Sequence, residues 1–221
     1  MELIIYGYFL KVCVADRLGI ITEQTFSAPE NYGGVTHLIS STFFSFQIYA
    51  DFAGYSLIAI GLGKLMCLRF GTNFCRPYYA SNIQDFWRRW HISLSSWLRD
   101  YVYIPLGGNR VNTPKIFVNI VIVMFLGGLW HGASYNFVIW GTLHGILLCL
   151  FRIYSTYYKS PHFPKSFNIL LTFLLVNFLW IFFRSDNLDI SLMIIEKIFS
   201  FNDFFLNISF DLFNLIIGFF M

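Results

Sequence analysis

Charge is what this sequence has least of. Only 12% of its 221 residues are Asp, Glu, Lys or Arg, against roughly 25% in an ordinary soluble domain, so a water-exposed globular surface is excluded. It also lacks the ten-residue alternating segments of a membrane barrel. Its apolar stretches are continuous and helix-length, which leaves the α-helix as the spanning element. The four cysteines, Cys13, Cys67, Cys75 and Cys149, show no close paired spacing. They indicate neither a zinc site nor a redox motif and read as fillers of helices and loops. There is no phosphate-binding glycine loop, no metal-ligand set and no serine nucleophile elbow. The Met1 end has no basic region ahead of a small-residue cleavage site; its apolar segment carries Lys11, Asp16 and Arg17 and reads as a helix ending at an interface. No internal repeat or low-complexity tract occurs.

What is present is the pattern of an all-α, polytopic membrane protein. Residues 2–21 form a first apolar segment, expected to be a membrane helix with a charged end, followed by a polar connection, 22–36, with the turn formers Pro29, Asn31, Gly33 and Gly34. Residues 38–63 have spanning length, with Asp51 near the centre and Gln47 one turn before it. The longest uncharged run, 116–150, far exceeds the ~20 residues that cross a bilayer. It divides at Gly127-Gly128-Leu129-Trp130-His131-Gly132 into 116–130 and 133–150. Residues 167–183 span again, ended by Arg184, Ser185 and Asp186, while 190–199 are short for a span and suit an interface. Residues 204–221 are apolar with Asp211 inside them and stop in mid-run, as a truncated chain would.

The basic residues gather in one connection. Lys64, Arg69, Arg76, Arg88, Arg89, Arg99, Arg110 and Lys115 face only Asp85 and Asp100 there, which by the positive-inside rule puts the connection on the cytoplasmic side. Within it, Trp87, Trp90, Leu94, Trp97, Tyr101 and Ile104 recur at spacings of three and four. That predicts one helix with an aromatic face and with Arg88, His91, Ser95 and Arg99 on neighbouring positions. Pro105 and Gly107-Gly108-Asn109 end it. A helix of this kind lies at a membrane interface, as an anchor or as part of a site. The cations are interfacial and give no support to nucleic-acid binding.

Of five histidines, His37 and His162 fall in polar connections and are expected to face water. His144 is expected to pack against a neighbour or to cap a hydrogen-bond network. His131 and His91 are the candidates for chemistry. An imidazole titrates near neutrality and can take a proton from a hydroxyl and return it. Glycines beside His131 permit a broken helix where backbone lines a cavity. Either histidine can also be a buried ring bonded to a carbonyl, and the residues alone leave that choice open. Asp51, at membrane depth, requires a partner. The arginines of the basic connection and the two histidines are the available ones, either to orient an imidazole or to tie two helices together.

Three ordered stretches carry a resemblance. Asp51-Phe52-Ala53-Gly54-Tyr55-Ser56 comes first, followed by Phe86-Trp87-Arg88-Arg89-Trp90-His91-Ile92-Ser93-Leu94-Ser95 with Trp97-Leu98-Arg99-Asp100-Tyr101 and Ile104-Pro105-Leu106-Gly107-Gly108-Asn109-Arg110, and then Gly127-Gly128-Leu129-Trp130-His131-Gly132-Ala133. Together they resemble the membrane-bound O-acyltransferase family. The similarity is nearest to the bacterial branch that O-acetylates alginate and peptidoglycan, with the teichoic acid D-alanyl transferases more distant. The resemblance implies a helix ring around a central funnel, with interfacial and re-entrant helices. It implies a single transmembrane domain over 1–221, incomplete because the family has further helices on both sides, in the bacterial cytoplasmic (inner) membrane.

By motif, His131 matches the family's catalytic histidine and His91 its second histidine. Asp51, Arg88, Arg89, Trp90, Arg99 and Trp130 fall in the motifs as positions for substrate or donor. The resemblance implies no bound cofactor or metal, a donor such as acetyl-CoA or an acyl-carrier thioester, and a polysaccharide acceptor. It also implies membrane lipid around the chain, a periplasmic acetyltransferase partner and no nucleic acid. The alternatives are transfer of D-alanyl or another acyl group, a proton-coupled transporter using His131 and Asp51, and a fragment inert by itself.

Overall fold

Inside a bilayer every backbone N–H and C=O must be satisfied within its own segment, which favours uninterrupted helices. The computed structural model describes residues 1–158 and 163–200, and among them every regular element is helical. In chain order these are α1 (Glu2–Tyr8), α2 (Asp16–Ser27), α3 (Gly34–Leu65), α4 (Ile83–Arg89), α5 (Ile92–Leu98), α6 (Thr113–His131), α7 (Tyr135–Tyr157), α8 (Lys165–Arg184) and α9 (Leu188–Phe199). Among the described residues, α3, α6, α7 and α8 are long and apolar enough to cross a membrane. The apolar segment expected over 2–21 is helical throughout, α1 and α2 being joined by a π-helical stretch, Phe9–Ala15. Residues 204–221 with Asp211, and His162, lie outside the described residues.

Helix starts are set by polar caps, as the sequence pattern requires. Asn82, Asn112, Ser134 and Asn187 each accept a hydrogen bond from a backbone N–H in the first turn of α4, α6, α7 and α9. Contacts then divide the chain into two compact units, Met1–Gly71 with Arg184–Met221, and Thr72–Phe183.

In the first unit α1 and α3 meet at glycines: a Cβ on Gly7 would stand 2.6 Å from the Gly54 oxygen, and one on Gly54 2.7 Å from the Gly7 oxygen. A hydroxyl seam joins α2 to α3, with Thr22 Oγ1 donating to Gln47 Oε1 at 2.5 Å and Thr25 bonded to Ser40. Such polar pairs hold helices together where apolar burial cannot distinguish protein from lipid. Asp51 pairs here with Lys11 at 2.6 Å, and Lys11 also reaches Asp16 at 3.1 Å. The partner is thus neither an arginine of the basic connection nor a histidine, the partners expected from the sequence, but Lys11, which ties the π-helical stretch to α3. His37 corrects a second expectation. Instead of facing water it is fully buried, a ring nitrogen 3.1 Å from the Pro29 oxygen. The reason is that α3 begins at Gly34, before the apolar run, so His37 falls inside its first turns against the 29–32 turn. Lys197 of α9 clamps that turn by donating to the carbonyls of Glu30 and Tyr32.

In the second unit α6 and α7 form an antiparallel hairpin on small residues. A Cβ on Gly128 would overlap the Phe137 oxygen, and one on Gly141 the Met124 oxygen. A Cβ on Gly145 would meet Val121 Cα at 3.0 Å. Gly141 and Gly145 are four apart, the spacing that lets membrane helices approach backbone to backbone.

Candidate active site

The end of α6 is decided by one residue. Gly132 takes φ +153°, ψ 165°, a conformation open essentially to glycine alone. Ser134 then caps α7 by accepting the Asn136 N–H at 3.3 Å. His131 is therefore the last residue of α6, half-buried among aromatic rings. Ring centroids lie 5.0 Å away for Trp130, 5.4 Å for Trp140 and 4.9 Å for Phe183, all edge-on. A Cβ on Gly132 would press on the Phe137 ring at 3.0 Å in addition to the disallowed φ. Gly132→Ala is thus expected to destabilise the protein by about 1–3 kcal/mol, read as a lowered thermal midpoint in detergent.

His91 stands at a second break. The helix predicted continuously from Trp87 to Ile104 is instead split: α4 stops at Arg89, α5 starts at Ile92, and π-helical Arg99–Tyr103 follows. Periodicity was a sound guide to each piece and blind to the join. His91 itself adopts φ 43°, ψ 56°, a left-handed conformation that costs energy for a non-glycine residue and collects at functional sites. The backbone groups orphaned by the break are met from Asn73: its carbonyl accepts Ile92 N–H at 3.0 Å and its side chain accepts Ser93 N–H at 3.1 Å. The break turns the aromatic face apart, burying Trp90 and leaving Trp97, Tyr101 and Ile104 exposed.

The two histidines flank one indole. The His91 ring meets Trp130 edge-on at 5.9 Å, while His131 meets the same ring at 5.0 Å. Desolvation lowers the His91 pKa to about 4, so its imidazole is neutral at physiological pH. The unfolded chain, with an ordinary histidine value of ~6.5, takes up this proton first. Stability from His91 is therefore complete above that value and falls as pH drops through it toward 4. The thermal midpoint of the full-length protein is expected to fall between pH 7 and 4.5, and less so in His91→Gln.

Two voids with a shared wall lie along α6, and the smaller is lined by His131. A cavity of 740 Å³ carries Arg88, Arg99 and Arg152 in its wall, with Tyr103, Asn109 and Ser95 among its polar groups. At one end Asn109 Oδ1 accepts from both Tyr103 Oη, at 2.8 Å, and Arg152 Nη1, at 3.0 Å. A second pocket of 140 Å³, walled by Leu94, Leu98, Met124, Gly127 and Trp140, ends on His131. Trp87, Ser95, Val123, Met124 and Leu148 line both. From Ile120 in the first void to His131 in the second, α6 rises about 16 Å. The arrangement is a broad cationic vestibule narrowing to an apolar neck with an imidazole at its tip.

The other sequence-selected residues are placed as follows. Arg99 holds Asp100 at 2.7 Å while lining the vestibule. Arg89 pairs with Asp85 at 2.8 Å and reaches the Cys75 carbonyl. Trp90 is buried against Phe74, Phe86 and Trp180, with centroids 5.0–5.6 Å apart, which makes it scaffolding of the α4–α5 break. Trp130 is largely exposed. Asp51 belongs to the other compact unit. Sequence reasoning missed Trp140 and Phe183, which cage His131, Arg152 in the vestibule, and Asn73. Arg152 carried a signal, being the first charge after the long uncharged run; the others look like ordinary apolar or loop residues.

The family model described as MBOAT, membrane-bound O-acyltransferase family, matches residues 3–193. The chain belongs to this family. Within it, the chain is 44% identical over 192 residues to the peptidoglycan O-acetyltransferase of Helicobacter pylori, covering 86% of this chain and 36% of that relative. It is 44% identical over 200 residues to the probable alginate O-acetylase AlgI of Pseudomonas syringae pv. tomato, covering 89% and 38%. The teichoic acid D-alanyltransferase of Bacillus subtilis is 32% identical over 126 residues, covering 53% and 31%. The chain thus spans less than two-fifths of the length of these O-acyltransferase relatives. The membrane-bound, all-helical character expected from composition is that of the family, and the four candidate spans agree with it.

Proposed function

We propose that the full-length protein is an O-acyltransferase that moves acetyl from a thioester, acetyl-CoA or an acyl carrier, toward hydroxyls of a cell-surface polysaccharide of the alginate or peptidoglycan kind. The observation that carries this reading is the continuity of the arginine-lined vestibule with the apolar neck that ends on His131. Arg88, Arg99 and Arg152 attract the donor's phosphates, and a neck of 140 Å³ admits a slender thioester arm with a small acyl group. Names of relatives support the acetyl choice.

In this mechanism a ring nitrogen of His131 takes the proton of the acceptor hydroxyl as its oxygen attacks the thioester carbonyl. The carbon–sulfur bond then breaks, and the leaving thiolate receives that proton from the imidazolium. Neutral His91, on the other side of Trp130, positions the acyl carbonyl or shares the proton. The aromatic cage of Trp140, Phe137 and Phe183 keeps water from the thioester. The basic connection faces the cytoplasm of an inner membrane, lipid surrounds the spans, and a periplasmic acetyltransferase passes the acyl group onward to the polymer. No resident cofactor enters the scheme.

Reconstituted full-length protein supplied with acetyl-labelled thioester and a hydroxyl acceptor is expected to yield an acetyl ester identified by mass. A D-alanyl ester would select the teichoic acid type of reaction. Substrate flux across vesicles without any covalent acyl product would replace the reading with a proton-coupled transporter.

A further inference from the structure

Trp87 stands where the two voids meet, in the last turn of α4, and its side chain lines both. An indole has two torsions about which to swing, so the width of the neck depends on what anchors it. Its N–H donates to Nδ1 of His144 across 3.3 Å, and the two rings meet edge to face with centroids 5.1 Å apart. His144 is fully buried in α7. It is stacked on Phe86 at 6.2 Å with 7° between the planes, and edge-on to Trp140 at 4.9 Å. A ring nitrogen that accepts a hydrogen bond carries no proton, so the imidazole is neutral with its hydrogen on Nε2. Burying such a polar ring costs more than burying leucine or phenylalanine, and the proton-transfer scheme makes no use of it. His144 lines neither void. Its Nδ1 accepts a hydrogen bond from the side chain that divides them.

We propose that His144 is a positioning residue that fixes Trp87 as the wall of the neck and thereby sets which acyl groups reach His131. This rests on the acyl-transfer reading above. Seven residues lie between Trp87 in the neck wall and Ser95, the next vestibule residue shared by both voids, and the α4–α5 break falls among them, so the helix alone does not lock the indole. Phe86, one residue before Trp87, is stacked on His144, and Trp140 bridges His144 to His131. The anchor is thus built into the cage around the base. With the acceptor removed, the indole keeps only its edge contacts with Phe86 and Trp140, at 5.7 and 5.8 Å between centroids, so it can turn from the neck and admit acyl groups longer than acetyl.

The test uses the full-length protein with acetyl and butyryl thioesters. In His144→Leu the preference for acetyl over butyryl is expected to drop about tenfold, the scale on which a pocket distinguishes a methylene or two. His144→Asn places an amide oxygen near the Nδ1 position and is expected to return the preference to within about twofold of wild type. Trp87→Phe keeps an aromatic ring and removes the N–H. It should relax the preference as His144→Leu does, and the double variant should relax it no further, because the two residues act as one unit.

Unchanged selectivity in folded His144→Leu, a loss that asparagine does not recover, or an additive double variant would each overturn the proposal. If His144→Leu does not fold, unchanged selectivity in Trp87→Phe overturns it alone. A wild-type protein that turns over no thioester at all would sink the acyl-transfer reading itself, and this inference with it.

Discussion

His131→Ala in the full-length protein is expected to lower kcat for acyl transfer by about 10²–10⁴-fold, the usual contribution of a positioned general base. KM for the thioester should change little. On the proposed mechanism the imidazole would act on the hydroxyl proton, whereas donor affinity would come from the vestibule, where Arg88, Arg99 and Arg152 stand away from the pocket tip. Loss of kcat with retained donor binding is the signature of an interaction made in the transition state. The fold should survive, since His131 is the last residue of α6, half-buried, and its contacts are ring edges. Unaltered acetylation by a folded His131→Ala protein would remove His131 from the chemistry.

The second large effect is structural. Gly141→Leu is expected to abolish a folded α6–α7 hairpin, seen as loss of monodisperse protein in detergent. The obstacle is backbone: even a Cβ at Gly141 would overlap the Met124 carbonyl oxygen, and the facing Gly128 has the Phe137 carbonyl in the same place. Flexible side chains can yield to an added methyl group; carbonyl oxygens of two helices can yield only by separating the helices, beyond the about 1–3 kcal/mol of ordinary overpacking. Gly127→Ala offers the contrast. Its Cβ would meet only Leu98 Cδ1 at 3.3 Å, so stability should change little while the pocket before His131 narrows and kcat falls. A folded, active Gly141→Leu would mean that the close approach of α6 and α7 is dispensable.

The limits of sequence periodicity show at particular residues. Lys11 could not be read as the partner of Asp51, because nothing in either segment fixes the register of α1, the π-helical stretch and α3 until Gly7 and Gly54 dock. His37 was misplaced for a local reason: Gly33 and Gly34 look like loop, yet Gly34 opens the helix. The break at His91 was hidden because three- and four-residue spacing continues across it, and the compensating acceptor, Asn73, lies well upstream.

What the sequence determined by itself was the membrane, the spans that became α3, α6, α7 and α8, the basic connection and the two histidines in their motifs. These follow from composition, run length and local spacing, which are properties of neighbouring residues along a chain. Tertiary structure alone decided the cage of Trp140 and Phe183 around His131, the single indole shared by both histidines, the joining of vestibule and neck, and the bond from Trp87 to His144. Each depends on side chains distant in sequence meeting at a few ångströms, set by how closely α6 and α7 pack and where α4 stops.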